Sequence, residues 1–458
     1  MSQTMIRDLT KGNVTKLLLQ FAFPLFLSNA LQAIYNIVDM IVVGQYIGGA
    51  GMSAVSIGGD ILHLLTFVAM GFSSAGQVLI AQDVGAGNLD RVRRTIGTLF
   101  TFLLAASVSI SIIFFLIRNP LLLWVNTPAE SYQFTLDYMV ICIVGLVFIY
   151  GYNIVSAILR GMGDSRRPFV FVAIAAVLNL ILDILFVAVF DMKVFGAALA
   201  TVIGQAVSFI VSLVYLYRHR ASFCFDFKLK SFAIDRDAFK RIAVLGVPMA
   251  IQAAAVHFSK IVLMSWINMF GVVYSALAGI YNKINLMIAV ISNSFTTAGS
   301  AMVGQNLGAK KDERIPEILK TVTICGFVVS GAAGLVILFF PQQVFSAFTG
   351  DGSVLAVANV LIWPIIVNFI GSATRSVSFS LINGSGNTKM NLAVAIIDGI
   401  IGRIGIAALL GFALKMDCLG FWYGDALAGH IPFFIGLSFY LSGKWRTQKK
   451  TLSKPAEL

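Results

Sequence analysis

The sequence predicts an all-α membrane protein with twelve transmembrane helices in two six-helix bundles. Composition is the first reason: of 458 residues, 58% are hydrophobic and 12% are charged, and the mean hydropathy is +0.88. Soluble domains carry roughly 25% charged residues, so this composition indicates a protein embedded in a bilayer. Two further observations, an internal repeat and a regular series of long apolar stretches, predict the division into halves and the number of helices.

The internal repeat has an offset of 223 positions. The segment Gly161 to Arg166 has its counterpart in Gly384 to Lys389. The other paired positions are Ile57, Ile61, Phe72, Ala75, Gly76, Gln82, Gly85 and Ala86, which recur as Ile280, Ile284, Phe295, Ala298, Gly299, Gln305, Gly308 and Ala309. An apolar chain made of two equal halves is typical of a transporter.

The apolar stretches are long enough to cross a hydrocarbon core, which requires about 20 residues. Six lie in the first half, near residues 14–47, 53–81, 94–118, 132–159, 167–190 and 194–217. Six more lie in the second half, near residues 241–270, 274–304, 317–340, 354–382, 390–414 and 419–442. The first stretch is too long for the core of a signal peptide, so we expect it to remain as a spanning helix.

The distribution of positive charge predicts the orientation. Of the 33 Lys and Arg residues, 26 fall in the two tails and in the loops on the same side of the membrane. Such loops are retained in the cytoplasm during insertion, so both termini are expected there, in a bacterial cytoplasmic membrane. An even number of spans in each half makes the two repeats parallel. The net charge of +12 then reflects topology and indicates no nucleic-acid partner.

The spans and loops predict the domain organisation. The parts are an N-terminal bundle (residues 1–217), a cytoplasmic linker (218–240), a C-terminal bundle (241–442) and a cytoplasmic tail (443–458). Phe223, Phe225 and Phe227 alternate along the linker, a pattern that fits an interfacial segment and a surface strand equally well. Pro24 and Pro248 occupy corresponding points of the first and seventh spans, and a proline there is expected to bend the helix.

Two carboxylates within the spans, Asp39 and Asp183, are the first functional candidates, because an ionisable side chain inside a membrane is costly. Asp183 lies eight residues before Asp191, at the end of the fifth span. Thr201 lies eight residues after Lys193, at the start of the sixth. At about 1.5 Å per helical residue, these side chains share one depth in the membrane, and Asp39 lies at that depth in the first span.

Two more polar side chains join this layer. Tyr138 lies eight residues beyond Glu130, and Asn179 precedes Asp183 by four residues on the same helix face. Oxygen ligands and a buried carboxylate pair suit a proton or a small hard cation. The predicted coupling ion is H⁺ or Na⁺, without a cofactor or a permanent metal. The predicted transient Na⁺ ligands are Asp39, Asn179, Asp183 and Thr201. The alternative for each residue is a helix-end carboxylate or a polar group that packs helices together.

The second half offers a different set of polar residues. The candidates for lining a cavity are His257, Lys260, Lys283, Arg375, Asp398 and Arg403. Asp398 and Arg403 fit equally well a pair that neutralises itself within the eleventh span. A counterpart of the carboxylate site is not expected here, because Gly402 and Ile406 stand 223 positions after Asn179 and Asp183.

Enzymatic and ATP-driven functions lack the motifs they require. The four cysteines have no CxxC spacing, which argues against a disulfide framework and against a thiolate metal site. Neither a nucleotide-binding loop nor a catalytic signature is found in the sequence. We therefore expect a secondary transporter and not an enzyme.

Several motifs together point to one family. They are Pro24 followed by Val38 to Gly44, the paired segments Ala81 to Gly87 and Gly304 to Ala309, Leu159 to Asp164, and Asn179 with Asp183. With them the chain resembles, over nearly its whole length, the multidrug and toxic compound extrusion (MATE) family, in its bacterial NorM-, DinF- and MepA-like branch. The resemblance implies two bundles in a V around a central cavity.

The resemblance also implies export of amphipathic, often cationic compounds in exchange for inward Na⁺ or H⁺. The residues that match the first-bundle cation site of the family are Asp39, Tyr138, Asn179, Asp183 and Thr201. Some NorM-type members carry an acidic pair in the second bundle as well. Val256, His257 and Ser372 stand near those positions in this chain, so that second site is not expected.

We therefore expect a monomeric antiporter whose partners are a small amphipathic substrate and the lipid bilayer. One alternative is a flippase for lipid-linked oligosaccharides from the same broader superfamily, which needs a cationic groove; Lys260, Lys283, Arg375 and Arg403 are the residues that favour it. Another alternative is a membrane enzyme acting on lipids, but the clustered His or carboxylate residues that it needs are not found.

Overall fold

The computed structural model describes residues 6–223 and 225–447, and all regular structure within them is helical. The helices of the first half are α1 (Val14–Ile47), α2 (Gly49–Gly85), α3 (Leu89–Leu116), α4 (Arg118–Trp124), α5 (Ala129–Gly161), α6 (Arg166–Asp183) and α7 (Lys193–Arg218). A π-helix, Ile184–Val189, continues α6, and a short 3₁₀-helix, Leu229–Phe232, lies in the linker.

The helices of the second half follow the same order. They are α8 (Arg236–Asn268), α9 (Val272–Gly308), α10 (Ile315–Phe339), α11 (Pro341–Ser346), α12 (Gly352–Val357), α13 (Ile362–Ser385), α14 (Thr388–Ile396), α15 (Arg403–Ala408), α16 (Asp417–Ala428), α17 (Ile431–Leu441) and α18 (Lys444–Thr447). Two π-helices, Ile397–Gly402 and Leu409–Ala413, connect α14 to α15 and extend α15.

Eleven helical segments within the described residues are long and apolar enough to cross a membrane, which confirms the all-α membrane fold. The stretch predicted as the twelfth span, residues 419–442, is instead divided into α16 and α17. The division falls at Gly429 and His430, immediately before Pro432 in the first turn of α17. Pro432 has no N–H to bond the carbonyl of Ala428, the last residue of α16, whereas a proline is tolerated in the first turn of a new helix.

The chain forms two compact units. Within the described residues, one consists of residues 6–8 and Leu27–Ala250, and the other of Leu9–Phe26 and residues 251–447. Helices α1 and α8 therefore each contribute residues to both units. Pro24 and Pro248 lie inside these two helices, which remain continuous in the structure.

Small residues allow close helix packing in the first unit. A Cβ atom on Gly151 of α5 would lie 2.5 Å from Cε2 of Phe209 in α7, and a Cβ on Gly145 would lie 2.4 Å from Cγ2 of Val202. In a membrane, where helices gain little from hydrophobic burial against one another, such close backbone approach is a main source of association. Glycines of α5 therefore bring α7 close to α5, beside the residues of the candidate site.

The linker packs against the first unit. Phe223 and Phe225 are buried in its hydrophobic core, and the hydroxyl of Thr101 on α3 donates a hydrogen bond of 2.5 Å to the carbonyl of Phe232. Residues 225–228 have no regular structure. The prediction of a surface strand is therefore wrong, and Phe223 and Phe225 pack into an apolar core within the protein itself. The interfacial position of the segment stays a prediction.

Candidate functional site

Asp39 and Asp183 are both buried inside the first unit. Asp39 lies on α1 with 5% of its surface exposed, and Asp183, the last residue of α6, is 0% exposed. The two carboxylates are close enough to interact electrostatically. One oxygen of each, Oδ1, has no hydrogen-bond partner within the described residues. A buried carboxylate oxygen without a partner is costly, so these two atoms are candidates for binding a proton or a cation.

The backbone next to Asp183 departs from α-helical geometry. The π-helix Ile184–Val189 begins at the residue that follows it. A π-helical turn is less stable than an α-helical turn, and such turns occur often at functional sites. Asp183 thus stands at the junction between an α-helical and a π-helical segment.

Asn179 and Thr201 lie beside Asp183, on α6 and α7. The amide of Asn179 donates to the Thr201 hydroxyl oxygen at 3.5 Å. When the amide is rotated by half a turn, it donates to Oδ2 of Asp183 at 3.3 Å and accepts from the backbone N–H of Thr201 at 3.3 Å. The rotated arrangement uses both ends of the amide, so Asn179 links the carboxylate to α7. The close approach of the two helices is helped by Gly204, where a Cβ would lie 3.5 Å from Cβ of Asn179.

Tyr138 on α5 completes the set predicted from the sequence. Its side chain is buried and interacts electrostatically with both Asp39 and Asp183. The ring packs directly on α2, because a Cβ on Gly58 would lie only 2.5 Å from its Cδ1 atom. All five predicted residues thus lie in the first unit, around one carboxylate pair.

Two further residues belong to this site and were missed. Tyr35 interacts electrostatically with Asp39, and Gln205 donates a hydrogen bond of 3.5 Å to the Tyr35 hydroxyl. The sequence contains a signal for both, since Tyr35 precedes Asp39 by four residues and Gln205 follows Thr201 by four. Residues four apart on a helix share a face. The same spacing that singled out Asn179 would have found them.

An apolar layer covers one side of the site. Val43, Val187 and Ala197 belong to a single hydrophobic cluster, and each lies four residues from Asp39, Asp183 or Thr201. This layer separates the carboxylates from the end of the unit that carries the α1–α2 connection. A dry boundary of this kind strengthens electrostatic interactions within the site. A pair of close carboxylates in such surroundings favours the uptake of a positive charge, as H⁺ or as a small cation with oxygen ligands.

The second unit contains a different buried group of charges. Arg375 donates to Oδ2 of Asp398 at 2.6 Å, and Arg403 donates to Oδ1 of Asp398 at 3.2 Å. Arg403 also forms an ion pair with Asp425. The predicted pairing of Asp398 with Arg403 is therefore present, but it is part of a longer chain of four charges.

Asp425, on α16, is a residue that the sequence reasoning overlooked. It accepts a hydrogen bond of 3.1 Å from the Tyr281 hydroxyl and one of 3.3 Å from the amide of Asn368. Asp425 stands within the predicted span 419–442, so the rule that selected Asp39 and Asp183 would have selected it too. Tyr281 and Asn368 carry no comparable signal.

Two other candidates of the second half, Lys260 and Lys283, form no direct ion pair within the described residues, although Lys260 interacts electrostatically with Asp398 and Asp425. Lys260 on α8 and Lys283 on α9 are exposed, and His257 is half-buried. Lys260 lines a pocket of the second unit together with Tyr281 and Asp425. The six residues predicted to line one cavity are thus divided between a buried ion network and exposed positions.

The family model MatE matches this chain twice, at residues 24–185 and 248–407, which together cover more than two thirds of it. The chain belongs to the MatE family. The two matches start at Pro24 and Pro248 and follow the internal repeat. Membership agrees with the observed fold of a multi-pass membrane protein.

Curated relatives in the MatE family cover nearly the whole chain. The chain is 26% identical to the probable multidrug resistance protein YoeA of Bacillus subtilis, over 94% of each chain. It is 27% identical to the probable multidrug resistance protein YpnP of the same organism, over 96% of this chain and 98% of the relative. A third relative is the probable multidrug resistance protein NorM of Thermotoga maritima, which is 24% identical over 94% of this chain and 93% of the relative.

Solved structures of MatE-type proteins have the same fold. An outward-facing multidrug resistance MATE family transporter of the MOP superfamily aligns with a TM-score of 0.89 at 20% identity, over 99% of this chain and 100% of that chain. A MOP superfamily transporter from Pyrococcus furiosus aligns with the same score, identity and coverage. At this identity the likeness establishes the fold alone.

Proposed function

We propose that this MATE transporter is a secondary antiporter that exports amphipathic, often cationic drugs or toxic compounds in exchange for inward H⁺ or Na⁺. The observation that carries the proposal is the carboxylate pair Asp39 and Asp183: both are buried, they interact electrostatically, and each has one oxygen without a hydrogen-bond partner within the described residues. The names of the relatives, which are multidrug resistance proteins, support the substrate class. The transporter works as a monomer in the bacterial cytoplasmic membrane, with both termini in the cytoplasm.

The coupling follows from electrostatics. Entry of one cation neutralises one of two like charges that lie close together in a dry environment. The conformation with the closer carboxylates therefore gains stability when the site is occupied, and a ligand shifts a two-state equilibrium by its difference in affinity for the two states. Each charge that crosses about 100 mV of membrane potential contributes about 2.3 kcal/mol, enough to bias a carrier whose states differ by a few kcal/mol.

The π-helix Ile184–Val189 is the element we expect to respond. It directly follows Asp183, and Val187 within it packs in the apolar layer that covers the site. A change in charge at Asp183 acts on the least regular part of its helix, so the local geometry can change without unfolding the α-helical part.

The flippase alternative has less support. It requires several unpaired positive charges for a pyrophosphate, but of the four cationic residues that favoured it, Arg375 and Arg403 are engaged by Asp398 and Asp425, which leaves only two lysines. A pyrophosphate bears more than one negative charge, and neutralised guanidinium groups offer little attraction to it.

Transport in proteoliposomes tests the proposal. Ethidium uptake or release is followed while a Na⁺ gradient and a pH gradient are imposed separately, for the parent and for the variants Asp39→Asn, Asp183→Asn and Asp191→Asn. The last is the control, because Asp191 is exposed and has a φ of 49°, which asparagine adopts readily. We expect the parent and the control to respond to one gradient, and the two site variants to lose that response. A gradient dependence in Asp183→Asn equal to that of the parent overturns the site assignment.

A further inference from the structure

The pocket beside the ion network of the second unit has a mixed lining. Its polar side chains include Lys260, Tyr281 and Asp425, and its apolar side chains include Leu263 and Trp422. These residues come from α8, α9 and α16, so three helices contribute to one concave surface within a single unit. A concave surface that combines apolar walls with a few polar groups is typical of a binding site for a small amphipathic molecule.

The acceptor atoms of this region are already in use. Both oxygens of Asp398 accept hydrogen bonds, from Arg375 and Arg403. Both oxygens of Asp425 accept as well, one from Arg403 and the other from Tyr281 and Asn368. A cationic ligand would therefore find no free carboxylate oxygen at these two residues.

Two buried N–H donors, in contrast, have no acceptor within the described residues. The indole N–H of Trp422, a residue with only 1% of its surface exposed, has no hydrogen-bond partner within the described residues, and neither has Nε of Arg403. A buried N–H without an acceptor is costly. Trp422 lines the pocket, so a ligand there can supply the acceptor that the protein does not.

The net charge of the side chains around the pocket also favours an anionic ligand. Lys260, Arg375 and Arg403 carry three positive charges, and Asp398 and Asp425 carry two negative charges, so one positive charge remains. The two guanidinium groups are engaged in ion pairs, whereas the exposed ammonium of Lys260 forms none within the described part of the chain. Lys260, on the wall of the pocket, interacts electrostatically with Asp425 and Asp398, but it is the one cation of this group without a directly bonded carboxylate within the described residues.

We propose that this pocket binds the carboxylate of an amphiphilic molecule, with Lys260 as its counter-ion and the Trp422 indole as a second donor. A single excess charge matches one carboxylate better than a pyrophosphate. The apolar wall selects an amphiphile over a simple inorganic anion. Binding in this pocket does not depend on the proposed export function. If the protein is also an exporter, zwitterionic and anionic amphiphiles are expected among the exported compounds.

Equilibrium binding tests the proposal independently of any ion gradient. The probes are rhodamine B, which carries a carboxylate, and its methyl ester, which has the same fluorophore without that charge. Binding to the purified protein in phosphatidylcholine nanodiscs is followed by fluorescence anisotropy. We expect the parent to bind rhodamine B more tightly than the ester. In Lys260→Gln, the ratio of the two dissociation constants should fall by about tenfold, which corresponds to the loss of one charge-assisted hydrogen bond.

Two controls keep the outcome specific. Lys283→Gln removes another exposed lysine of the same unit and is expected to keep the preference for rhodamine B. Lys260→Arg keeps the positive charge at position 260 and is expected to keep the preference as well. Decanoate should displace rhodamine B at a much lower concentration than acetate, because only decanoate has an apolar tail. Equal binding of the two dyes by the parent, an unchanged preference in Lys260→Gln, or equal displacement by acetate and decanoate contradicts the proposal. None of these outcomes affects the gradient dependence assigned to Asp39 and Asp183.

Discussion

Aspartate has two different environments in this protein. Asp425 and Asp398 are buried, and every one of their carboxylate oxygens accepts a hydrogen bond from the surrounding side chains. Asp39 and Asp183 are equally buried, but each retains an oxygen without a partner. The first arrangement holds helices together, because removal of one partner leaves a buried charge uncompensated. In the second arrangement, one oxygen of Asp39 and one of Asp183 accept no hydrogen bond within the described residues, which is the basis for proposing them as ion ligands.

Substitution of these aspartates should therefore have opposite effects on stability. Asp425→Asn removes the charge that compensates Arg403 and is expected to destabilise the protein by about 3 kcal/mol. Asp183→Asn removes one of two repelling charges and is expected to maintain or raise the melting temperature. Thermal unfolding of both variants in detergent, with Asp191→Asn as the reference, checks the pair. A lower melting temperature in Asp183→Asn than in Asp425→Asn contradicts the distinction.

Ion binding should be visible in the same measurement. A ligand that binds only the folded state stabilises it by about 2.7 kcal/mol when its concentration is about a hundred times its dissociation constant. We expect the melting temperature of the parent to rise with either Na⁺ or acidification, whichever supplies the coupling ion. The rise should be absent in Asp39→Asn, where the carboxylate pair is lost, and present in Asp191→Asn. An equal rise in all three proteins would place the ion elsewhere.

At the scale of helices, glycines determine how closely the site residues approach one another. Gly58 lets the Tyr138 ring rest on the backbone of α2, and Gly204 brings α7 to Asn179. The π-helix after Asp183 is a second local feature of the site, because it changes the direction in which the following side chains point. Helix packing thus determines how closely the site residues approach, and the π-helix marks where the geometry of α6 departs from an α-helix.

Gly58→Ala tests the role of this packing, with its neighbour as the control. The added methyl group would stand 2.5 Å from the Tyr138 ring, whereas a Cβ on Gly59 meets nothing within 4 Å. We expect Gly58→Ala to cost about 1–3 kcal/mol and to weaken transport by displacing Tyr138. Gly59→Ala should match or exceed the parent in stability, because alanine favours the helix. Melting temperature and gradient-driven ethidium transport measure both effects.

At the scale of the molecule, the sequence repeat is also a repeat of helix contacts. A Cβ on Gly161 would lie 2.8 Å from the carbonyl oxygen of Gln77, and a Cβ on Gly384 would lie 2.8 Å from that of Ser300. Both pairs are related by the offset of 223 positions. The contact between α2 and α5 therefore has the same register as the contact between α9 and α13. The two units share this framework but carry different polar groups, acidic in the first and mixed in the second.

Because the two helix contacts have the same register, equivalent Gly→Ala substitutions in the two halves should lower stability by similar amounts. Gly161→Ala and Gly384→Ala each place a methyl group against a backbone carbonyl and should destabilise the protein by a similar amount, about 1–3 kcal/mol. Gly59→Ala and Gly279→Ala serve as controls, since a Cβ at either position meets nothing within 4 Å. Thermal unfolding of the four variants gives the comparison. A large effect in one half alone would show that the two contacts are not equivalent.

The sequence by itself determined the membrane class, the repeat, eleven of the helical spans and the buried position of Asp39 and Asp183. These features follow from hydropathy, charge and helical spacing, which are properties of short stretches of chain. Tyr35, Gln205 and Asp425 were within reach of the same rules but were not selected. The break before Pro432 had a local signal as well.

The tertiary structure alone decided which charges are paired and which are left free. Tyr281 and Asp425 are 144 positions apart, and Arg375 reaches Asp398 from another helix. Whether a buried carboxylate oxygen meets a donor depends on how separate helices pack, and helical spacing in one segment contains no information about its neighbours. For that reason the sequence located Asp39, Asp183, Asp398 and Arg403, and only the packed helices distinguished the structural ion pairs from carboxylates without a partner.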